Sequence, residues 1–228
     1  MSKFVVAIDG GAGSGKSTTA KGVARRLGFF YLDTGAMYRA FTLKYIKAAQ
    51  ECEKIDMGLV RRLLGETEIG LHQEDTETEV YLDSKNVTLA IRTPEVSAFV
   101  SQISAIPEVR AYMVAKQREV AEGRNVVCEG RDIGTVVFPD AQVKIFMTAE
   151  VKVRAQRRLK ELGEKKIKAD QDEVIENIKF RDEYDSQRAH SPLKKAQDAI
   201  VVDTTNLTIE QEIGLVEKII EDHLGNYI

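Results

Sequence analysis

Residues 10–17 read Gly-Gly-Ala-Gly-Ser-Gly-Lys-Ser. They fit G-x-x-x-x-G-K-S/T, with Gly10, Gly15, Lys16 and Ser17 in the fixed places and Gly11, Ala12, Gly13 and Ser14 between them. Backbone N–H groups in such a loop turn inward on phosphate oxygens, and the helix that follows adds the partial positive charge of its N-terminus. Lys16 would reach the β- and γ-phosphates, and the Ser17 hydroxyl would ligate Mg2+, with Thr18 closing the loop. The chemistry offered is the binding of a nucleoside triphosphate and the transfer of its γ-phosphoryl group. The dinucleotide fingerprint fits worse, because a G-x-G-x-x-G counted from Gly11 needs glycine where Lys16 stands.

Two further clusters follow apolar runs. Asp33, Thr34 and Arg39 supply a carboxylate, a hydroxyl and a guanidinium after one run, at the strand end where open α/β sheets bind ligands. A helix N-cap by Asp33 or Thr34, with Arg39 on a solvated face, accounts for the same residues. Glu129-Gly130-Arg131-Asp132 follow another run. Glu129 suits the water shell of a metal ion, Arg131 is a planar fork for phosphate, and Asp132 can accept from an amino group. A turn with a local Arg131–Asp132 pair is the plainer alternative.

Arg181, Asp185 and Arg188 are spaced to share one helix face, as are Arg154, Arg157 and Arg158. Exposed helix charges are ordinarily solvated surface. Clustered arginines in a chain that binds a triphosphate point instead to cations around a migrating phosphoryl group. The three histidines, His72, His190 and His223, stand in unrelated settings and form no catalytic pair. A nucleoside monophosphate acceptor needs no base, since its second phosphate pKa is about 6 and the attacking oxygen is already mostly ionised at neutral pH.

The elements that must carry these residues are legible as an α/β alternation. Phe4–Asp9 is a short apolar, β-branched run, followed by the glycine loop. Ala20, Val23, Ala24 and Leu27 recur at helical spacing, Gly28 marks a stop, and Phe29–Leu32 is a second strand. Asn125–Cys128, Val143–Met147 and Ala199–Val202 read as further buried parallel strands. Thr208 and Gln211 have capping-box spacing before the final helix. Between Glu66 and Ile91 apolar residues alternate in three runs, ending in Val87, Leu89 and Ile91, with turn-like clusters at Gln73–Thr78 and Asp83–Asn86. This predicts a small antiparallel meander inserted in the frame. The charged stretch Val151–Lys168 is expected to be a mobile helical arm.

The 228 residues suit one core with small lobes. A net charge of −3 offers no broad basic face for nucleic acid. No apolar run reaches the length of a membrane span, and the N-terminus lacks a signal-peptide layout. Cys52 and Cys128 form no C-x-x-C, so reduced thiols in a cytoplasmic protein are expected.

The segments IDGGAGSGKST at 8–18, LDTGAMYR at 32–39, IRTPEV at 91–96, SQIS at 101–104, PEVR at 107–110, EGRDIGTVVFPDA at 129–141, RD-x-x-DSQR at 181–188 and SPL at 191–193 together resemble the bacterial cytidylate kinases. The resemblance runs from Phe4 to the final helix. The glycine loop is shared by many families, whereas the stretch from Gly130 to Ala141 and the inserted meander are far more specific. The family pattern has Asp where this chain has Glu129.

The resemblance implies a three-layer P-loop fold with a five-stranded parallel sheet, an inserted antiparallel monophosphate-binding lobe and a short helical lid. Residues 1–33, 103–150 and 186–228 would form the core, 34–102 the lobe, and 151–185 the lid with its flanking helices. It implies transfer from ATP to CMP or dCMP with Mg2+ held by Ser17 and, through water, Glu129. Cytosine contacts would come from Ser101, Arg110, Asp132 and Arg188, and a ribose contact from Asp185 supported by Arg181. Thr34, Arg39 and Arg131 would hold the acceptor phosphate. Arg154, Arg157 and Arg158 would belong to the lid, with Arg157 toward ATP. Lys16, Arg131, Arg154, Arg158 and Arg188 would stabilise the transferring group. A monomer is expected, with no nucleic-acid or membrane partner. A P-loop kinase for another small acceptor is disfavoured by Arg110, Asp132 and Arg188. A GTP-binding switch is disfavoured by the lack of an N-K-x-D motif.

Overall fold

The computed structural model describes residues 4–49, 54–74, 77–164 and 169–225. Cys52, residues 75–76 of the first expected turn and residues 165–168 of the expected arm lie outside them. The fold is α/β. Five strands form one sheet: β1 (Val5–Gly10), β2 (Phe30–Asp33), β6 (Val126–Gly130), β7 (Val143–Thr148) and β8 (Ile200–Asp203), in the order β2-β6-β1-β7-β8. Another three form a separate antiparallel sheet: β3 (Ile69–Glu74), β4 (Glu77–Leu82) and β5 (Lys85–Asn86). The chain divides into two compact units, one from the N-terminus to Tyr31 together with Gly123 onward, the other Leu32–Glu122.

In the first unit, every residue of β1 and β6 is buried. Unbroken apolar runs form strands covered on both faces, and parallel pairing is their usual home. β1 pairs in parallel with β6 and with β7, and β7 with β8. The register decides what the sheet presents. Asp9 lies beside Gly130, and Gly10 beside Met147. The phosphate loop and the Glu129–Asp132 segment therefore leave the sheet at the same edge.

Helix α1 (Lys16–Leu27) buries Ala20, Val23 and Ala24 against Ile213, Val216 and Ile220 of α8 (Ile209–Leu224) and the sheet beneath. Gly28 ends α1 in the left-handed region, at φ 66°. Strand β8 departs from expectation. It is the sheet's edge and buries only Val202, leaving Ile200 and Val201 exposed because no strand lies beyond them.

The expected arm is a regular helix, α6 (Val151–Glu164), packed on α7 (Gln171–Gln187). Val151, Ala155, Leu159 and Leu162 meet Val174, Ile175 and Ile178. This apolar stripe, hidden among seven charged residues of α6, gives the arm a seat.

The second unit holds α2 (Thr34–Ala48), α3 (Met57–Gly65), the antiparallel sheet, α4 (Pro94–Ser104) and α5 (Pro107–Ala121). Asp83 and Ser84 both adopt positive φ, 49° and 64°, and join β4 to β5 as a two-residue hairpin turn. The third apolar run does not form the expected strand. β5 ends at Asn86, Ala90–Arg92 form a 3₁₀ turn, and Leu89 is exposed. The alternation of Val87, Leu89 and Ile91 fails because Leu89 has nothing to pack on. Helix α5 packs on α2, α3 and α4, so this unit extends to Glu122, beyond the expected boundary at 102.

Helix α8 opens with a reciprocal cap: Thr208 Oγ1 accepts from Gln211 N, and Gln211 Oε1 accepts from Thr208 N. Thr208→Ala is expected to lower the unfolding free energy by about 1 kcal/mol, read by urea denaturation. An unchanged midpoint would show that the cap carries no stability.

Candidate phosphate-transfer site

The loop after β1 is shaped by close approaches. A Cβ on Gly10 would lie 2.3 Å from the Met147 carbonyl oxygen of the neighbouring strand, so backbone, not a movable side chain, excludes it. Gly15 stands at φ 91° immediately before α1, where an L side chain is strained. Gly15 offers no side-chain cap, and α1 has no acidic residue in its first turn. The N–H groups of such a first turn suit an anion. Lys16 is buried, with Nζ 3.4 Å from the Gly11 carbonyl oxygen and 3.7 Å from Glu129 Oε2. Ser17 and Thr18 are exposed at the loop's mouth.

Around this loop each named cation faces a carboxylate or carbonyl oxygen. Arg154 donates Nη1 to the Ala12 carbonyl at 3.1 Å and to Asp182 Oδ2 at 2.5 Å, while Asp182 Oδ1 accepts from Ala12 N at 3.3 Å. Arg131 donates Nε to Asp185 Oδ2 at 2.8 Å. Arg188 Nη2 lies 3.6 Å from Asp132 Oδ1, both side chains almost wholly buried. Arg157 turns to Thr204 and to Glu212 Oε1, at 2.7 Å, and Arg158 to Glu161 one turn away on its own helix. Arg181 is half-buried on α7, one turn before Asp185.

Arg188 is not on the face shared by Arg181 and Asp185. It terminates α7 with ψ at 139°, and its Nε donates to the Ser191 carbonyl at 2.5 Å. The helix ends before the third member of the expected i, i+4, i+7 set, and an extended residue brings the guanidinium to Asp132.

In the second unit, Asp33 takes the role of N-cap, accepting from Ala36 N at 2.9 Å, and Thr34 opens α2 buried. Arg39 donates to Ser97 Oγ at 2.9 Å. Arg110 is buried, donates to the Ser104 carbonyl at 3.3 Å and lies over the Tyr38 ring at 5.6 Å. Ser101 is half-buried on α4.

Sequence reasoning missed several residues here. Tyr31 Oη donates to Glu129 Oε1 at 2.8 Å, which leaves Oε2 toward Lys16. Glu212 is buried and accepts from Thr19 Oγ1 at 2.9 Å as well as from Arg157; burial raises its carboxyl above the usual range. Asp9 accepts from two consecutive backbone amides, Ile133 N and Gly134 N, each at 2.8 Å. Partners from 55 to 193 residues away leave no spacing signal. Asp182 alone had one, as the neighbour of Arg181 in a charged motif.

Among the described residues no group of three or more His, Cys, Asp and Glu side chains could hold a metal by itself. The hydroxyl of Ser17 and the carboxylate of Glu129 are hard oxygen donors. A donor set so sparse suits Mg2+, which keeps several waters and shares its shell with substrate phosphates.

Comparison with known proteins agrees with this geometry. A family model described as cytidylate kinase matches residues 6–223. The cytidylate kinase of Lactobacillus gasseri is 49% identical over 221 residues, 97% of this chain and 95% of the relative. That of Carboxydothermus hydrogenoformans is 47% identical over 215 residues, 94% and 96% of the two chains. A crystal structure of an uncharacterized protein from Eubacterium ventriosum shares the fold at a TM-score of 0.54 and 12% identity, covering 96% of this chain and 99% of that one.

Burial pushes the Asp9 carboxyl up to about 6, against the Gly134 and Ile133 amides that lower it; nearby Asp132 adds to the rise and Arg131 opposes it. The folded chain thus holds this proton more tightly than the unfolded chain does. Its stabilising effect is full below the unfolded value near 3.8 and is lost as pH rises through about 6. A carbon-13 titration of the Asp9 carboxyl is expected to show a midpoint near 6, and a midpoint near 4 would contradict it.

Proposed function

The chain belongs to the cytidylate kinase family, and we propose that it transfers the γ-phosphoryl group of ATP to CMP or dCMP, giving ADP and CDP or dCDP. The observation that carries this reading is the acceptor-type set after β6: Arg131 paired with Asp185, and Asp132 paired with Arg188, at the sheet edge that also bears the phosphate loop.

In this reading the loop amides and Lys16 hold the triphosphate. Ser17 and, through water, Glu129 hold Mg2+, with Tyr31 fixing the orientation of the Glu129 carboxylate. When bound, Mg2+ neutralises phosphate charge as it builds on transfer. Lys16, Arg131, Arg154, Arg158 and Arg188 supply further positive charge around the transferring group. The observed Arg157 contacts favour a structural tie to Glu212, and a role toward ATP would require that tie to break. No base is needed, because the acceptor oxygen is already ionised and the work is positioning and charge neutralisation.

We assign the acceptor phosphate to Arg131, Thr34 and Arg39, the ribose to Asp185 with Arg181, and cytosine to Asp132, Arg188, Arg110 and Ser101. Cytosine presents an amino donor and then two acceptors. A carboxylate suits the donor, and arginine N–H groups suit the acceptors. We further propose a monomer acting in the cytoplasm: every group named lies on one chain, and no helix among the described residues is long and apolar enough to cross a membrane.

Base identity is the sharpest test. Uracil sets a carbonyl where cytosine has its amino group, so the Asp132 carboxylate would face an acceptor. The lost charge-assisted bond and the repulsion cost about 2–4 kcal/mol, roughly 30- to 1000-fold in kcat/KM for CMP over UMP. Asp132→Asn lets an amide donate at that place and is expected to cut CMP activity and narrow the CMP/UMP ratio. An unchanged ratio would show that Asp132 only steadies Arg188.

A further inference from the structure

The residues that read the acceptor stand on an unusual backbone. Strand β6 ends at Gly130, Asp132 adopts φ −145° and ψ 29°, and Ile133–Val137 form a π-helical turn. The Asp132 carbonyl accepts from Val136 N at 2.9 Å and, in the wider bond, from Val137 N at 3.2 Å, and the Ile133 carbonyl accepts from Phe138 N at 2.7 Å. Wide turns of this kind are rare and frequently lie at functional sites. The first amides of any helical turn lack partners within it, and Asp132's own side chain makes no cap. That side chain instead faces Arg188.

The missing acceptors come from another strand. Asp9, buried at the carboxyl end of β1, sets one carboxylate oxygen on Ile133 N and the other on Gly134 N, both at 2.8 Å. The fork is symmetric, and both partners are donors. Asparagine at this position would turn an NH2 group onto one backbone N–H, so only a carboxylate satisfies both. The parallel register beside Gly130 brings Asp9 under the turn. Close packing admits it: a Cβ on Gly134 would sit 3.2 Å from Lys144 and 3.5 Å from Asp9 Oδ2.

We propose that Asp9 is a positioning residue for the acceptor: by capping the π-helical turn from β1, it fixes where Asp132 and Arg131 meet the nucleoside monophosphate. The proposal rests on the reading that those two residues contact the acceptor. Asp9 immediately precedes the phosphate loop, so one side chain sets the distance between the donor's cradle and the acceptor's reader. Displacement of Asp132 by even a fraction of an ångström weakens the charge-assisted bond that separates cytosine from uracil.

The test compares Asp9→Asn with the unmodified enzyme by steady-state kinetics. The expected result is a rise of about tenfold in KM for CMP, a CMP/UMP ratio in kcat/KM narrowed by about fivefold, and a KM for ATP within about threefold of the unmodified value. A fall in thermal stability with KM for CMP and the CMP/UMP ratio unchanged would overturn the proposal, leaving Asp9 as scaffold. Equal rises in KM for CMP and ATP would overturn it as well. Asp132→Asn in the same assay separates the two readings: if it narrows the ratio and Asp9→Asn does not, base reading stands and the positioning role falls. Should Asp9→Asn fail to fold, Asp9→Ser is measured for CMP and ADP binding by calorimetry, with selective loss of CMP affinity expected. Hydrogen exchange on the unmodified chain needs no variant: CMP alone is expected to slow exchange at Ile133 and Gly134 about tenfold more than ADP alone, and equal slowing by both overturns the proposal.

Discussion

The site must gather positive charge for a polyphosphate and remain folded before one arrives. Buried guanidinium and ammonium groups left unpaired cost about 3–5 kcal/mol each. The chain meets this constraint by setting a carboxylate against the cations that matter. Lys16 faces Glu129, Arg131 Asp185, Arg154 Asp182, and Arg188 Asp132. Binding of substrate phosphates then redistributes pairings that already exist, and the protein avoids a concentrated positive field that would destabilise its own core.

This constraint explains the placement of elements that otherwise look decorative. Helices α6 and α7 are joined by a small apolar cluster, and each contributes one half of the Arg154–Asp182 pair, which also engages both backbone groups of Ala12. The Thr204–Arg157–Glu212 network ties the start of α8 to the same loop, with Thr204 Oγ1 on the Ser14 carbonyl and Glu212 on Thr19. The sheet register supplies the rest, because Asp9 beside Gly130 aligns the two strand ends from which both substrate-binding segments emerge.

Much of this was legible before any coordinates. The glycine loop declared its chemistry through Gly10, Gly15, Lys16 and Ser17, since few other uses exist for that spacing after an apolar strand. All five strands of the larger sheet and the capping devices of α1 and α8 followed from local pattern. Legibility failed where tertiary context decides. Val87, Leu89 and Ile91 alternate like a strand but lack a partner, and Ile200 and Val201 look buried yet lie on a sheet edge. Arg188 shares helical spacing with Asp185 but sits past the helix end. Asp9, Tyr31 and Glu212 were invisible for a different reason. Their significance lies in partners that the chain brings from 55 to 193 residues away.

The account stands or falls on the acceptor. Coupled ADP release from ATP with CMP, dCMP, UMP, AMP and GMP, each at equal concentration with Mg2+ present, measures it directly. The account predicts rapid release with CMP and dCMP and far slower release with the other three. Slow hydrolysis indifferent to the monophosphate, or preference for a purine nucleotide, would contradict it.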